Sequence, residues 1–142
     1  MKAIYNEGDV SKLLRAEFEN LGVHVEQIES HTSSAGIPDL DGCCDGQQFK
    51  VELKFISGKK KKAEIRSTQK RWFRERIEAG YSPWGLLYHQ TADGAATWIL
   101  IKGEDFVKLP NASTLEDWQK ATFKTWGPGP VDYDSILSFV TL

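Results

Sequence analysis

The stretch GIPDLDGCCDGQQFKVELKF, residues 36–55, combines a strand pattern with an unusual set of charges. Its last part, FKVELKF (49–55), alternates apolar and charged side chains, which is typical of a strand with one face in the core. The preceding DGCCDGQQ contains Asp-Gly twice and predicts a hairpin loop between this strand and the region of Asp39. Glu52 and Lys54 then point away from the core, and Asp39 lies at the end of the neighbouring strand.

This arrangement of Asp39 and Glu52 predicts a particular chemistry. Two neighbouring carboxylates repel each other, and burying them unpaired costs several kcal/mol. A hard divalent cation relieves that cost, and Mg²⁺ binds one or two carboxylates while leaving positions open for a phosphate. Lys54 would project beside the attacking water, where it can hold or help deprotonate that water and offset charge on the phosphate. The three residues therefore predict metal-assisted phosphodiester hydrolysis.

Periodicity and turn residues predict an α/β domain with a mixed sheet for the rest of the chain. The predicted elements are a helix over 9–21, a strand over 23–30, the strand over 49–55, a helix from Ser67 or Thr68 to Ala79, strands over 84–90 and 96–102, a short helix over about 115–123 capped by Ser113 and Glu116, and one further short element in the tail. We expect residues 1–142 to form a single domain.

The composition is that of an ordinary globular protein, with 40% hydrophobic and 27% charged residues. No apolar run approaches the roughly 18 residues that a membrane span needs, and the N-terminus lacks a secretory apolar core. Cys43 and Cys44 are adjacent, a spacing that rarely forms a disulfide, and a second pair for a zinc site is missing. We therefore expect free thiols in a reducing compartment.

Positive charge is concentrated in one part of the chain. The net charge is −2, but residues 59–76 hold nine Lys or Arg against two Glu. This predicts local contact with an anionic partner, although a solvated loop followed by a charged helix face fits the charge pattern about equally well. The cations suited to bind nucleic-acid phosphates are Lys59, Lys60, Lys61, Lys62, Arg66, Lys70 and Arg71.

The motif P-D-x(12)-E-L-K, from Pro38 to Lys54, resembles the motif that names the PD-(D/E)xK nuclease superfamily. The G-I-P-D-L run, the V-E-L-K strand, the basic loop and then R-S-T-Q (66–69) opening a helix that ends in A-G resemble the VRR-NUC and Holliday-junction-resolvase-like branch. The tripeptide I-E-S (28–30) is similar to one in small phage-encoded nucleases. The resemblance covers roughly residues 25–90. Neither P-D nor E-x-K alone is specific to these nucleases, and the resemblance rests on their combination.

The resemblance implies a restriction-endonuclease-like core, with a mixed β-sheet flanked by helices, and a role for each motif residue. Asp39 and Glu52 would bind the metal together with the Leu53 backbone carbonyl, Lys54 would be the catalytic lysine, and Gln69 would contact the site or the nucleic-acid backbone. The family often adds a further acidic residue. We favour Glu29 for it, with Glu7 and Glu17 as open alternatives.

The implied activity is that of a Mg²⁺-dependent DNA endonuclease, for which Mn²⁺ can substitute, acting on junction, flap or nicked DNA. The resemblance also implies DNA as partner, a homodimer, no membrane association, and the cytoplasm of a bacterial host if a phage encodes the chain.

Several other interpretations fit the same residues. Asp39 could merely begin a turn, and Glu52 with Lys54 could form an exposed ion pair on a strand. The chain could be a catalytically inactive nucleic-acid-binding module with the same fold, or a nuclease working in exonuclease mode. It could also be a structural or inhibitory partner protein that uses its acidic C-terminal half.

Overall fold

The computed structural model describes residues 3–28 and 36–142. Its elements in chain order are α1 (Glu7–Asn20), β1 (His24–Gln27), β2 (Leu40–Cys44), β3 (Gln47–Ser57), β4 (Lys62–Glu64), α2 (Ser67–Glu78), β5 (Trp84–Gln90), β6 (Ala96–Lys102), α3 (Gly103–Phe106), β7 (Ala112–Thr114), α4 (Leu115–Lys120), β8 (Lys124–Trp126) and α5 (Tyr133–Val140).

Six of the strands form one mixed sheet in the order β1-β2-β3-β5-β6-β8. The central pair β3 and β5 is parallel, and the other neighbours are antiparallel. One apolar layer packs α1 and α5 on one face of the sheet, and a second layer packs α2, α3 and α4 on the other. The predicted fold class, a mixed sheet flanked by helices, is confirmed.

Helix α1 begins two residues earlier than its apolar pattern predicts. Val10, Leu14 and Phe18 are fully buried on one side of it, as the period requires. The Asn6 side chain accepts a hydrogen bond from the Asp9 backbone N–H at 2.9 Å and so caps the helix. Glu7 consequently lies on the first turn of α1.

The predicted hairpin loop over residues 41–48 was wrong in extent, because β2 runs through Cys44. Only Asp45 and Gly46 form the turn, with φ of 51° and 78°, which is the conformation of a type I′ hairpin. Gly42, the glycine of the first Asp-Gly pair, instead lies against the Phe49 ring, where a Cβ would come within 2.1 Å of that ring. Glycine is present there for packing, not for turning.

Two predicted helix caps were displaced by one residue. Helix α2 has Arg66 as its N-cap residue instead of Ser67 or Thr68. Helix α4 is capped by Thr114, whose hydroxyl accepts from the Asp117 N–H while the Asp117 carboxylate accepts from the Thr114 N–H. The small sheet of β4 and β7, together with α3, was not predicted. Strands β5 and β6 have the predicted bounds.

Both cysteines are free, Cys43 and Cys44 being partly buried on β2. Among the described residues, none of the helices combines the length and the apolar character needed to cross a membrane.

Candidate active site

Glu52 and Lys54 are almost fully buried, at 1% and 3% exposure. The alternation of β3 places them on the face opposite Val51 and Leu53, as predicted, but that face is not open to solvent. Helix α2 packs over it and brings in the buried side chain of Gln69. A strand that exposes one face in the sequence pattern is therefore covered on both faces in the fold, and its two charges must be satisfied inside the protein.

Asp39 lies immediately before β2 and beside Glu52, since Leu40 pairs with Val51 in the antiparallel register. Its carboxylate accepts a hydrogen bond from the Leu53 backbone N–H at 2.8 Å. The Asp39 carbonyl accepts from the N–H of Ile28 at 2.7 Å. The P-D segment is thus fixed from both neighbouring strands.

Gly36 explains the glycine of the G-I-P-D run. Its φ is +84°, and a Cβ there would lie 2.2 Å from the Thr68 carbonyl oxygen in the first turn of α2. The loop that carries Asp39 therefore approaches α2 through a position that only glycine can occupy.

Glu7 supplies a third carboxylate. One ligand atom from each of Glu7, Asp39 and Glu52 lies within 4.8 Å of the others. Of the open alternatives, Glu17 is ten residues further along α1, a rise of about 15 Å. Glu29, which the resemblance favoured, lies outside the described residues. The signal that could have located Glu7 is Asn6, a preferred N-cap residue one position before it.

Lys54 and Gln69 tie the carboxylates into one network. The Gln69 amide donates to Glu52 Oε2 at 2.9 Å, and its oxygen accepts from Lys54 Nζ at 3.2 Å. The same oxygen accepts from the Arg66 N–H at 2.9 Å, so the side chain of Gln69 also closes the first turn of α2. Lys54 Nζ lies 3.4 Å from Glu52 Oε2 and 3.8 Å from Glu7 Oε1. The lysine is therefore held between two acids.

Three carboxylates lie close together, and two lysine ammonium groups, those of Lys54 and Lys60, lie within ion-pair distance of them. Burial raises the pKa of the Asp39 carboxyl, against hydrogen bonds from its neighbours. Burial, and then the proximity of Asp39, raises the pKa of Glu52 well above its usual range. Glu52 Oε1 is buried and has no hydrogen-bond partner within residues 3–28 and 36–142. A partnerless carboxylate oxygen beside two more carboxylates is the donor set of a hard divalent cation, so the residues fit Mg²⁺ or Mn²⁺.

The site opens through a cleft of about 270 Å³. It is lined by Glu7, Asp39, Glu52, Lys54, Glu64, Arg66 and Gln69. At its rim, Lys60 Nζ lies 3.1 Å from Glu7 Oε2. The cleft is therefore acidic inside and partly basic at its edge.

The other predicted nucleic-acid contacts divide into two groups. Lys59–Lys62 and Arg66 are exposed near the cleft. Lys70 instead donates to the Leu109 carbonyl, and burial lowers the pKa of its amine. Arg71 pairs with Glu75 at 3.1 Å on α2. Of the seven basic residues, Arg66 lines the cleft and Lys60 reaches its edge, while Lys70 and Arg71 have partners within the protein.

No protein-family model matches the chain, and no curated protein matches it in sequence. Among solved structures, the chain is similar to a Holliday junction resolvase from the archaeal hyperthermophile Archaeoglobus fulgidus. The TM-score is 0.52 at 10% sequence identity, over 78% of this chain and 90% of that chain. At this identity the similarity establishes a shared fold, a mixed sheet flanked by helices.

Proposed function

We propose that the chain is a divalent-metal-dependent DNA endonuclease that acts on junction, flap or nicked DNA, with residues 1–142 as one nuclease domain. The observation that carries the proposal is the convergence of three carboxylates and a buried lysine in one cleft. Mg²⁺ is the proposed ion, and Mn²⁺ can substitute for it because both prefer oxygen ligands.

Glu7, Asp39 and Glu52 are the proposed ligands, with the Leu53 backbone carbonyl as a further candidate. When bound, a divalent cation supplies Lewis-acid polarisation of a phosphoryl oxygen and lowers the pKa of a water molecule. Glu52 brings the oxygen that accepts no hydrogen bond from the described residues. Asp39 is oriented toward the same point by the Leu53 N–H. The three carboxylates thus come from three separate segments, which are the first turn of α1, the residue before β2, and β3.

Lys54 is the proposed catalytic lysine. Its ammonium group is nearly buried among the acids and reaches the cleft. There it can orient the attacking water and offset negative charge as it builds up on the phosphate. Gln69 is a positioning residue, because its amide oxygen holds Lys54 while its NH₂ group holds Glu52.

The proposed substrate class rests on the fold and on the basic rim. The similar archaeal protein is a Holliday junction resolvase, which motivates a branched or interrupted DNA substrate. The exposed residues Lys59–Lys62 and Arg66 are the proposed contacts of the phosphate backbone, and the position of Arg66 in the cleft and of Lys60 at its edge supports this. The motif order supports membership in the VRR-NUC-like branch of PD-(D/E)xK nucleases. A homodimer in a phage-infected bacterial cytoplasm completes the proposal.

The test is a panel of four-way junction, flap, nicked and continuous duplex DNA, incubated with Mg²⁺, with Mn²⁺ or with chelator. We expect internal cleavage of at least one interrupted substrate with either ion and none with chelator, and calorimetry should detect binding of the ion. A protein that binds DNA but neither binds a divalent ion nor cuts any substrate would be a binding module instead. Release of single nucleotides from DNA ends would indicate an exonuclease.

A further inference from the structure

A second and larger pocket lies beside the acidic cleft. It has a volume of about 550 Å³, within the range of ligand pockets in proteins. Among its lining residues, Ser57 ends β3 and Gln90 ends β5. These are the two parallel strands of the sheet, and the carboxyl ends of parallel strands commonly border a ligand crevice. Nothing in the proposed cleavage chemistry uses this pocket.

The lining of this pocket suits a flat aromatic ligand with a negative charge attached. Tyr5 is 78% exposed, and Phe55 forms part of the wall while stacking on Tyr88 with ring centroids 6.2 Å apart. Lys59 and Lys60 add positive charge. Gln90, which also lines it, has a buried side-chain oxygen to which none of the described residues donates a hydrogen bond.

The basic wall of the pocket is held in a defined conformation. The Ser57 hydroxyl accepts hydrogen bonds from the backbone N–H groups of Lys59 and Lys60, at 3.3 and 3.0 Å. The Ser57 N–H donates to the Lys60 carbonyl at 2.8 Å. The loop after β3 is therefore a turn that these hydrogen bonds hold closed.

One ion pair connects the lining of this pocket with that of the acidic cleft. Lys60 lines the pocket and pairs with Glu7 of the cleft at 3.1 Å. Tyr5 lies two residues before Glu7, and Ser57 lies three residues after Lys54 on β3. Three residues of a strand span about 10 Å, which equals about three nucleotide steps of a stacked DNA strand. Phe55 and Ser57 point to the opposite face of β3 from Lys54, so a DNA strand whose phosphate lies at Lys54 would bring neighbouring nucleotides to this pocket around the end of β3, beside the Lys60–Glu7 pair.

We propose that this pocket receives an unpaired nucleobase of the cleaved DNA strand, stacked on Tyr5, with its phosphate at Lys59 and Lys60. The inference rests on the proposed nuclease function and adds that the enzyme selects its substrate by an unpaired base. A base inside a continuous duplex is stacked on both sides and paired at its edge, so it cannot enter a side pocket without being unpaired. A base in a flap or at a junction is already free, and stacking on an aromatic ring holds it whatever its sequence.

The experiment measures DNA binding in chelator, so that cleavage plays no part in the readout. Fluorescence anisotropy compares a continuous duplex with the same duplex carrying a short single-stranded flap. The wild type should prefer the flap DNA, and Tyr5→Ala should lose about tenfold of that preference, while Tyr5→Phe keeps it. The backbone N–H of Tyr5, which donates to Asp9 at 2.8 Å, is retained in both variants.

Phe123→Ala is the matched control. Phe123 is another exposed aromatic residue, at 40%, but it packs on Trp84 at the opposite end of β5. Phe123→Ala should leave the preference for flap DNA over continuous duplex unchanged. In a second readout, 2-aminopurine placed in the flap should lose fluorescence on binding to the wild type, because stacking quenches it, and not on binding to Tyr5→Ala.

The possible outcomes separate this inference from the proposed nuclease activity. A flap preference that depends on Tyr5 supports the pocket even if the protein cuts nothing. Metal-dependent cleavage with equal affinities of wild type and Tyr5→Ala for flap DNA would support the nuclease and overturn the base pocket. Equal binding of flap and continuous duplex by the wild type would also overturn it.

Discussion

At Glu52, burial and charge act against each other. A carboxylate with 1% exposure is stable only if hydrogen bonds or opposite charges replace the water it has lost. Gln69 and Lys54 satisfy one of its oxygens, and the other has no hydrogen-bond partner in the part of the chain that the structure describes. A protein that needed only a core at this position would gain stability from an apolar residue. A cation bound by Glu52 in the folded state would relieve this conflict.

Lys54 and the acids have separate proposed roles. On the proposed mechanism, Lys54→Ala removes the charge beside the attacking water but leaves all three carboxylates, so cleavage should fall by about two or more orders of magnitude while the ion still binds. Asp39→Ala should weaken ion binding and cleavage together, because it removes one of the three proposed ligands. Calorimetry with Mn²⁺ and cleavage of a common substrate measure the two effects.

Lys50→Ala is the control for this comparison. Lys50 lies four residues earlier on β3 and also pairs with a carboxylate, Asp41 at 3.0 Å, but outside the cleft. Lys50→Ala should leave both the binding of Mn²⁺ and the rate of cleavage unchanged. If Lys54→Ala cleaves as fast as Lys50→Ala, the lysine serves only to balance buried charge.

At the scale of elements, the position of Asp39 in the site depends on how closely the loop that carries it, residues 36–39, approaches α2. Gly36→Ala combines a strained positive φ, costing about 1–2 kcal/mol, with a collision against the Thr68 carbonyl that adds a further ~1–3 kcal/mol. The loop should move and displace Asp39, so the affinity for Mn²⁺ should fall along with the free energy of unfolding. Denaturant unfolding and calorimetry on the folded variant measure both.

Gly46→Ala separates the two causes. Gly46 also has a positive φ, of 78°, but a Cβ there would meet nothing within 4 Å. Gly46→Ala should lower the free energy of unfolding only by the cost of the positive φ, about 1–2 kcal/mol, and should leave the Mn²⁺ affinity unchanged. Equal effects of the two substitutions on Mn²⁺ binding would show that the contact between loop and helix does not position Asp39.

The elements also show where sequence reasoning succeeds. Strands β5 and β6 were predicted with the correct bounds because apolar runs and a turn define them locally. Residues 41–44 were predicted as loop because Asp41-Gly42 looks like a turn, whereas the Phe49 ring requires that glycine through a tertiary contact. Alternation gave the correct face for Glu52 and Lys54. It could not reveal that α2 covers this face, since that depends on packing between distant segments.

At the scale of the whole molecule, charge is distributed unevenly around a mildly acidic protein. The net charge is −2, and the cluster of Glu7, Asp39 and Glu52 would repel a phosphate in the absence of a cation. The exposed lysines 59–62 lie on the loop after β3 and the start of β4, and Lys60 among them pairs with Glu7 of that cluster. Nucleic-acid affinity should therefore depend on where the positive charges lie more than on their total number.

Replacing Lys59, Lys60, Lys61 and Lys62 with alanine tests this dependence. DNA binding should weaken, and the dependence of log affinity on log salt should flatten by up to ~0.9 for each phosphate that the variant no longer neutralises, because fewer counterions are released on binding. The control replaces four exposed lysines elsewhere, Lys12, Lys102, Lys120 and Lys124, which changes the net charge equally. Anisotropy titrations across a salt series measure both variants. If the two slopes decrease alike, long-range charge accounts for binding, and if only the first decreases, the lysines beside the acidic cleft contact the phosphates directly.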